Sequence, residues 1–198
     1  MDVQPLTLQG SSVRLEPLAI DHLPGLARVG LDPELWRWIP TNVKNAEDMR
    51  VYLDRALDEQ RQGASVPFAI IAQSTGDVIG STRYMNIDRS NRRLEIGCTW
   101  LTAAYQRGRS NTEAKLMLLT HAFEMLGAIR VELKTDALNQ KSRTAIARIG
   151  AKEEGTFRKH LVTDTGRIRD TVYFSIIDTE WPAVKKRLTG LIQAPTKA

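Results

Sequence analysis

Three short segments place chemically capable residues where strand-like runs give way to helix-like runs. The first is Tyr105-Gln-Arg-Gly-Arg-Ser-Asn-Thr-Glu-Ala114. Ser110 and Glu113 have the spacing of a capping box, so a helix is expected to start just after Ser110. A helix start presents unpaired N–H groups and a partial positive charge, which suits an anion. Arg107 and Arg109 add two full charges, and together with the loop amides they suit a pyrophosphate. A capped helix flanked by two solvated arginines fits the same spacing. Neither the G-x-G-x-x-G nor the Walker A pattern occurs here.

The second segment, Thr135 to Arg143, is another strand-to-helix turn, one β-α unit later. Asn139 and Ser142, three residues apart at a helix start, would point into the crevice at the strands' C-terminal ends, where ligands bind in such sheets. Taken alone, they read more simply as an N-cap and an ordinary first-turn residue. The third segment, Leu94 to Leu101, leads into the anion loop and carries a carboxylate, Glu95. Partial desolvation raises a carboxyl pKa and fits it for base work near neutrality. Glu95 would otherwise face solvent or pair with Arg92, Arg93 or Lys134. Cys98 has no histidine near it in sequence and reads as core rather than nucleophile.

The elements that must position these residues follow from periodicity. Val13 to Pro17 alternates as a first strand. Asp21 is expected to cap a short helix ending before Gly30, and Pro33 to Ile39 to form another turn. Asn45 to Gln62 is a clear amphipathic helix. Val66–Ala72 and Val78–Tyr84 read as a hairpin, followed by a strand from Leu94 to Leu101. Thr112 to Leu126, apolar on most sides, reads as a buried helix. A strand over 129–135, a helix over 139–149, a hairpin around Asp164-Thr-Gly166 and a last helix from about Asp178 complete the order. Antiparallel strands followed by a β-α-β unit imply an α/β chain with one mixed sheet and helices on both faces. Residues 1–10 and 193–198 read as loose ends of a single domain spanning 1–198.

At 198 residues the chain can bury a core without staples. A single cysteine excludes an internal disulfide and suits a reducing compartment, so a cytoplasmic location is expected. No apolar run approaches the ~20 residues that span a bilayer, and the N-terminus lacks the pattern of a signal peptide. The three histidines are scattered, which argues against a metal. A net charge of +5 favours anionic ligands.

One ordered set of motifs runs through the chain: Glu95-x-Gly97, the Gln106 loop ending in Thr-Glu-Ala114, Ala122-Phe-Glu-x-Leu-Gly127, Asn139-x-x-Ser142-Arg143, Ile149-Gly-Ala-x-x-Glu-Gly155-x-x-Arg158, Arg167-x-Arg-Asp170-x-x-x-Phe-Ser175 and Glu180-Trp181. It resembles the GNAT superfamily of N-acyltransferases, and most closely the branch holding the ribosomal-protein N-terminal alanine acetyltransferases. The resemblance extends from about Val13 to Leu188. It implies a mostly antiparallel mixed sheet with a splayed parallel pair, acetyl-CoA as donor, no metal, and a primary amine as acceptor, with room for a homodimer. It further implies that Gln106, Arg107, Gly108, Arg109, Ser110, Asn111 and Thr112 wrap the CoA pyrophosphate. Cys98, Thr99, Trp100 and Leu101 would line the pantetheine arm, together with Asn139 and Arg143. Glu95 matches a common base position, with Asp136 next in line, and Ser142 would protonate the leaving thiolate. Acceptor pockets in this family use the first helices and the last hairpin, which here hold Trp36, Trp38, Arg158, His160 and Tyr173. The loop departs from the family pattern, with Arg109 and Asn111 where small residues belong and Gly108 one place early. That departure leaves a CoA-binding sensor without catalysis as a rival. A basic RNA-binding module using Arg89, Arg92, Arg93, Lys141, Arg143, Arg148 and Lys152 is a weaker one, since aromatics are only 6% and no RNA-binding signature appears.

Overall fold

Strands form where apolar side chains alternate or run together. The computed structural model describes residues 1–194. Its strands are β1 (Leu8–Gln9), β2 (Val13–Pro17), β3 (Val66–Ala72), β4 (Val78–Asp88), β5 (Arg93–Leu101), β6 (Arg130–Asp136), β7 (Lys152–Val162) and β8 (Ile168–Ile177). They join in one eight-stranded sheet of order β1-β2-β3-β4-β5-β6-β8-β7. Only β5 and β6 pair in parallel, and the other neighbours are antiparallel. This is the mixed, mostly antiparallel sheet expected from the sequence.

The helices are α1 (Leu23–Val29), α2 (Pro33–Trp36), α3 (Ala46–Arg61), α4 (Ser110–Thr120), α5 (Gln140–Arg148) and α6 (Trp181–Gln193). The sheet separates two cores. One gathers Phe68, Tyr84, Ile96, Leu133 and Phe174 against Leu118 of α4, Ile146 of α5 and Leu188 of α6. The other gathers Ala69, Ile71 and Trp100 against Leu26 of α1, Trp36 of α2 and Leu53 of α3.

Local chemistry explains most boundaries. Asn45 starts α3 by accepting the Asp48 N–H at 2.9 Å, and Asp32 starts α2 by accepting from Glu34 at 3.0 Å. Asp21, expected as a cap, instead lies in a 3-10 turn over Ile20–His22, and α1 begins at Leu23 without a side-chain cap. One of the N–H groups such a cap would bind belongs to Pro24, which has none. The buried helix runs as α4 to Thr120 and then widens into a π turn over His121–Met125. There the Leu118 carbonyl accepts the His121 N–H and, from across the core, the Tyr84 hydroxyl at 2.5 Å.

The N-terminal arm is not loose. Val3 is buried in the first core, and Leu8 pairs with Leu15. At the other end Gln193 closes α6, and residues 195–198 lie outside the described residues. No helix among the described residues is long and apolar enough to cross a membrane.

Candidate active site

The site is built on a fork in the sheet. β5 and β6 pair at Arg93 with Arg130, Leu94 with Val131 and Glu95 with Glu132, and no further. Beyond that point β5 keeps β4 as its partner up to Leu101, and β6 keeps β8 up to Asp136. A bulge accompanies the parting. Between paired positions β5 advances from Gly97 to Trp100 while β4 goes only from Arg83 to Ser81, so β5 holds one extra residue. Cys98 sits in this stretch with φ +48°. Such a bulge bends its strand and reverses the alternation of faces beyond it. Glu95 and Gly97 therefore lie on the α3 side, whereas Thr99 turns to α4 and Trp100 to the second core.

Glu95 ends the paired stretch and is buried. Its carboxylate accepts from Asn86 Nδ2 at 2.7 Å and meets Lys134 Nζ at 2.8 Å. Lys134 also reaches Glu132 at 3.1 Å and lies 4.4 Å from the centre of the Tyr173 ring. Burial works against the Lys134 charge, but the carboxylates of Glu95 and Glu132 outweigh it and raise its pKa above the ordinary value. Of the two alternatives left open for Glu95, the structure shows the ion pair. Gly97 makes this possible, since a Cβ there would lie 2.6 Å from Met85 Sδ and 2.9 Å from Glu95 Oε1.

The anion loop starts at Gln106, which donates to the Leu101 carbonyl at 2.8 Å and accepts from Lys141 at 2.6 Å. It thereby ties the end of β5 to the start of α5. The left-handed position falls on Arg107, with φ +61°, and Gly108 has no such conformation. Arg109 adopts ordinary helical angles at the N-cap of α4, and its guanidinium turns outward to the Ala194 carbonyl at 2.7 Å. Ser110, Asn111 and Thr112 form the first turn, and Thr112 accepts from Arg148 at 2.9 Å.

The capping box does not form. The helix includes Ser110, and no side chain caps it. Glu113 instead accepts from the N–H groups of Ser11 at 2.6 Å, Ser12 at 2.8 Å and Val13 at 2.9 Å, and from both serine hydroxyls. Burial would raise its pKa, but these donors lower it below the ordinary value. A charge-assisted set of five donors outcompetes a single reach back along the helix.

Asn139 caps α5 by accepting the Ser142 N–H at 3.0 Å. This is the structural reading of the pair, and it leaves the Asn139 amide NH₂ and the Ser142 hydroxyl for other work. The Arg143 guanidinium turns to Glu153 at 3.2 Å.

Of the expected acceptor residues, Trp36 is core. It is 3% exposed, and its indole N–H is spent on the Gly30 carbonyl at 2.7 Å. Trp100 and Leu101 are likewise buried, so their side chains pack rather than line a cleft. Trp38 is half-buried between the guanidinium groups of Arg37 and Arg167, at 5.0 and 5.6 Å from its ring centre. Tyr173 stacks on Phe157 at 4.2 Å, and its hydroxyl lies 3.2 Å from His160 Nε2. Arg158 and His160 are exposed on β7. Asp136 is 1% exposed, paired with Arg167 and 3.9 Å from Arg169, so its charge is already engaged. Of the basic residues in the RNA-binding alternative, Arg93, Arg143 and Lys152 pair with Asp88, Glu153 and Glu180.

The sequence reading missed Phe157 and Lys115, and named Lys134 only as one of three possible partners for Glu95. Lys115 is 6% exposed on α4, and its Nζ donates to Thr99 Oγ1 at 2.7 Å. Burial alone pushes its pKa down to about 7. A lone lysine inside an otherwise apolar helical run was the available signal.

A parallel pair that forks at a strand bulge, beside a helix start open to anions, defines an acyltransferase of the GNAT type. The acetyltransferase (GNAT) domain model matches residues 12–152, and the chain belongs to that family. It is 36% identical over 110 residues to a Bacillus subtilis (strain 168) protein named "Putative ribosomal N-acetyltransferase YdaF", a match covering 56% of this chain and 59% of that one. The crystal structure of a GCN5-related N-acetyltransferase from Brucella melitensis superposes with a TM-score of 0.87 and 32% identity, over 98% of this chain and 87% of that one. Mycobacterium smegmatis RimJ, solved in complex with CoA-disulfide, superposes with a TM-score of 0.78 and 26% identity, over 94% and 92% of the two chains.

Proposed function

We propose that this acetyltransferase transfers an acetyl group from acetyl-CoA to a primary amine, a protein N-terminus or a small amine, by direct attack. The observation that carries the reading is the fork beyond Glu95 and Glu132, with a buried carboxylate at its base and an uncapped helix start at its mouth. Acetyl-CoA supplies the acetyl group already activated as a thioester. The N–H groups at the start of α4 suit its diphosphate, with Arg107 beside them and Arg109 joining once it leaves the Ala194 carbonyl. The free β5 edge from Cys98 to Leu101 suits its amide-bearing arm, which the Asn139 amide would also hold. Backbone N–H groups near Cys98 would polarise the carbonyl.

Glu95 takes the proton of the attacking amine, directly or through water. An N-terminal amine has a pKa of about 7.7–8.0, so a modest base suffices. Holding both partners in one crevice supplies the proximity term, and the Ser142 hydroxyl stands toward the leaving sulfur. Trp38, Tyr173, His160 and Arg158, joined by Phe157, form the acceptor wall. Acceptors of this kind occur in the cytoplasm, the compartment that the lone cysteine suits.

The test is a thiol-release screen with acetyl-CoA against N-terminal peptides, polyamines and aminoglycosides. Ribosomal-protein N-termini come first, because the Bacillus subtilis relative is named "Putative ribosomal N-acetyltransferase YdaF". Sustained release with one amine is the expected result. CoA binding with no release on any amine would favour the second reading, a CoA sensor, for which the left-handed Arg107 in a glycine-poor loop speaks.

A further inference from the structure

We propose that Lys115 meets the sulfur of the acyl-CoA as it leaves and gives it a proton, so that the floor of the fork carries the acid of the reaction. The inference rests on the acyl-CoA reading above. Lys115 lies in the second turn of the helix whose start forms the anion loop, and its Nζ reaches Thr99 on the stretch of β5 that has left β6. Thr99 is neutral and is itself held by the Thr82 hydroxyl at 2.8 Å. An ammonium has three protons to donate, and among the described residues this one has a single partner and no ion pair. Burying such a group costs free energy unless something compensates it. If packing were its only task, a side chain like those of Leu118 and Leu119 on the same helix would serve better.

The acidity fits the task. Burial, with no charged neighbour contributing, draws Lys115 to about 7. An ordinary thiol has a pKa of about 8.5, so a lysine drawn down toward that range exchanges a proton readily with a thiolate, whereas a lysine near 10.4 would hold it. A serine hydroxyl is a far weaker acid than a thiol, so Ser142 can orient the sulfur but offers little driving force.

The step balances. The amine nitrogen bonds to the thioester carbon, the carbon–sulfur bond breaks, and its electron pair stays on sulfur. One Lys115 proton moves to that sulfur and gives the CoA thiol, and Lys115 recovers a proton from solvent. The surplus proton of the amine leaves through Glu95. Base and acid thus stand on opposite faces of β5, on either side of the bulge at Cys98.

Free CoA is the probe, titrated with pH and followed by thiolate ultraviolet absorbance. Bound to the wild type, its thiol should ionise at a lower pH than in water. Lys115→Met should abolish that shift, keep CoA affinity within a few-fold by calorimetry, and lower kcat roughly 10²-fold, the scale of a lost acid–base group. Lys115→Arg should keep the shift and still lose turnover, because a guanidinium does not release its proton. If Lys115→Met fails to fold, Thr99→Val removes the hydroxyl that aims the ammonium, and the shift must shrink. An unchanged titration in these variants overturns the proposal while leaving the acyl-CoA reading intact. Acetylation of Lys115 itself on incubation with acetyl-CoA, read by mass spectrometry, also overturns it. No CoA binding to the wild type overturns both.

Discussion

A glycine two residues along from Glu95 decides where that carboxylate can lie. Because a Cβ at Gly97 would meet Glu95 Oε1 at 2.9 Å and Met85 Sδ at 2.6 Å, Gly97→Ala should displace the carboxylate from Asn86 and Lys134. The expected result is a loss of kcat with CoA affinity retained, checked by calorimetry beside steady-state rates. Glu95→Gln should lower kcat by roughly 10²-fold or more, and the defect should shrink as pH rises because more of the amine is already neutral. A pH–rate profile decides it, and wild-type activity across neutral pH would make Glu95 structural. Ser142→Ala should have a smaller effect, with no rescue at high pH. Glu95 was legible as a candidate because a charge stands within a strand leading to the Gln106 loop. Its partner was not: Lys134 appeared only as one of three candidates, since strand register selects the neighbour. Lys115 showed only as a lone lysine in an apolar run, and nothing local reveals which strand a helical lysine faces.

At the level of elements, Glu113 pins the turn between β1 and β2 to α4. The two serines lie about a hundred residues away in sequence, which is why a local spacing rule misread the glutamate as half of a capping box. Its folded pKa lies below the ordinary value, so its contribution is fully present above the unfolded value of about 4.3 and is lost as pH falls through the folded value. Glu113→Ala leaves three backbone donors without their acceptor and should cost about 2 kcal/mol or more. Urea unfolding at neutral pH measures that loss, and the gap between variant and wild type should close toward acid. Elements with their own caps, such as α3 with Asn45 and α5 with Asn139, were readable within a residue. The bulge in β5 was not, because it is defined only against β4.

Across the whole molecule, the net charge of +5 favours an anionic ligand, and part of that attraction falls on Arg107 and Arg109 at the mouth of the fork. CoA affinity should therefore weaken as salt rises. Replacing both arginines by Ala should raise Kd several-fold and flatten the salt dependence, whereas an unchanged Kd would mark them as solvated bystanders. The order of strands and helices was readable at this scale because antiparallel runs and a β-α-β unit differ in periodicity and loop length. The neighbours of β7 and β8 came only from the fold. The fork has a consequence for solubility as well as for chemistry. An unbroken sheet has two outer edges to protect, here β1 and β7. Parting β5 from β6 adds two inner edges of unpaired backbone, the kind of template on which a foreign strand can grow. A ligand with amide groups along its length covers such an edge as a neighbouring strand would. Saturating CoA should therefore slow the aggregation of concentrated protein on warming, beyond what it adds to the unfolding temperature.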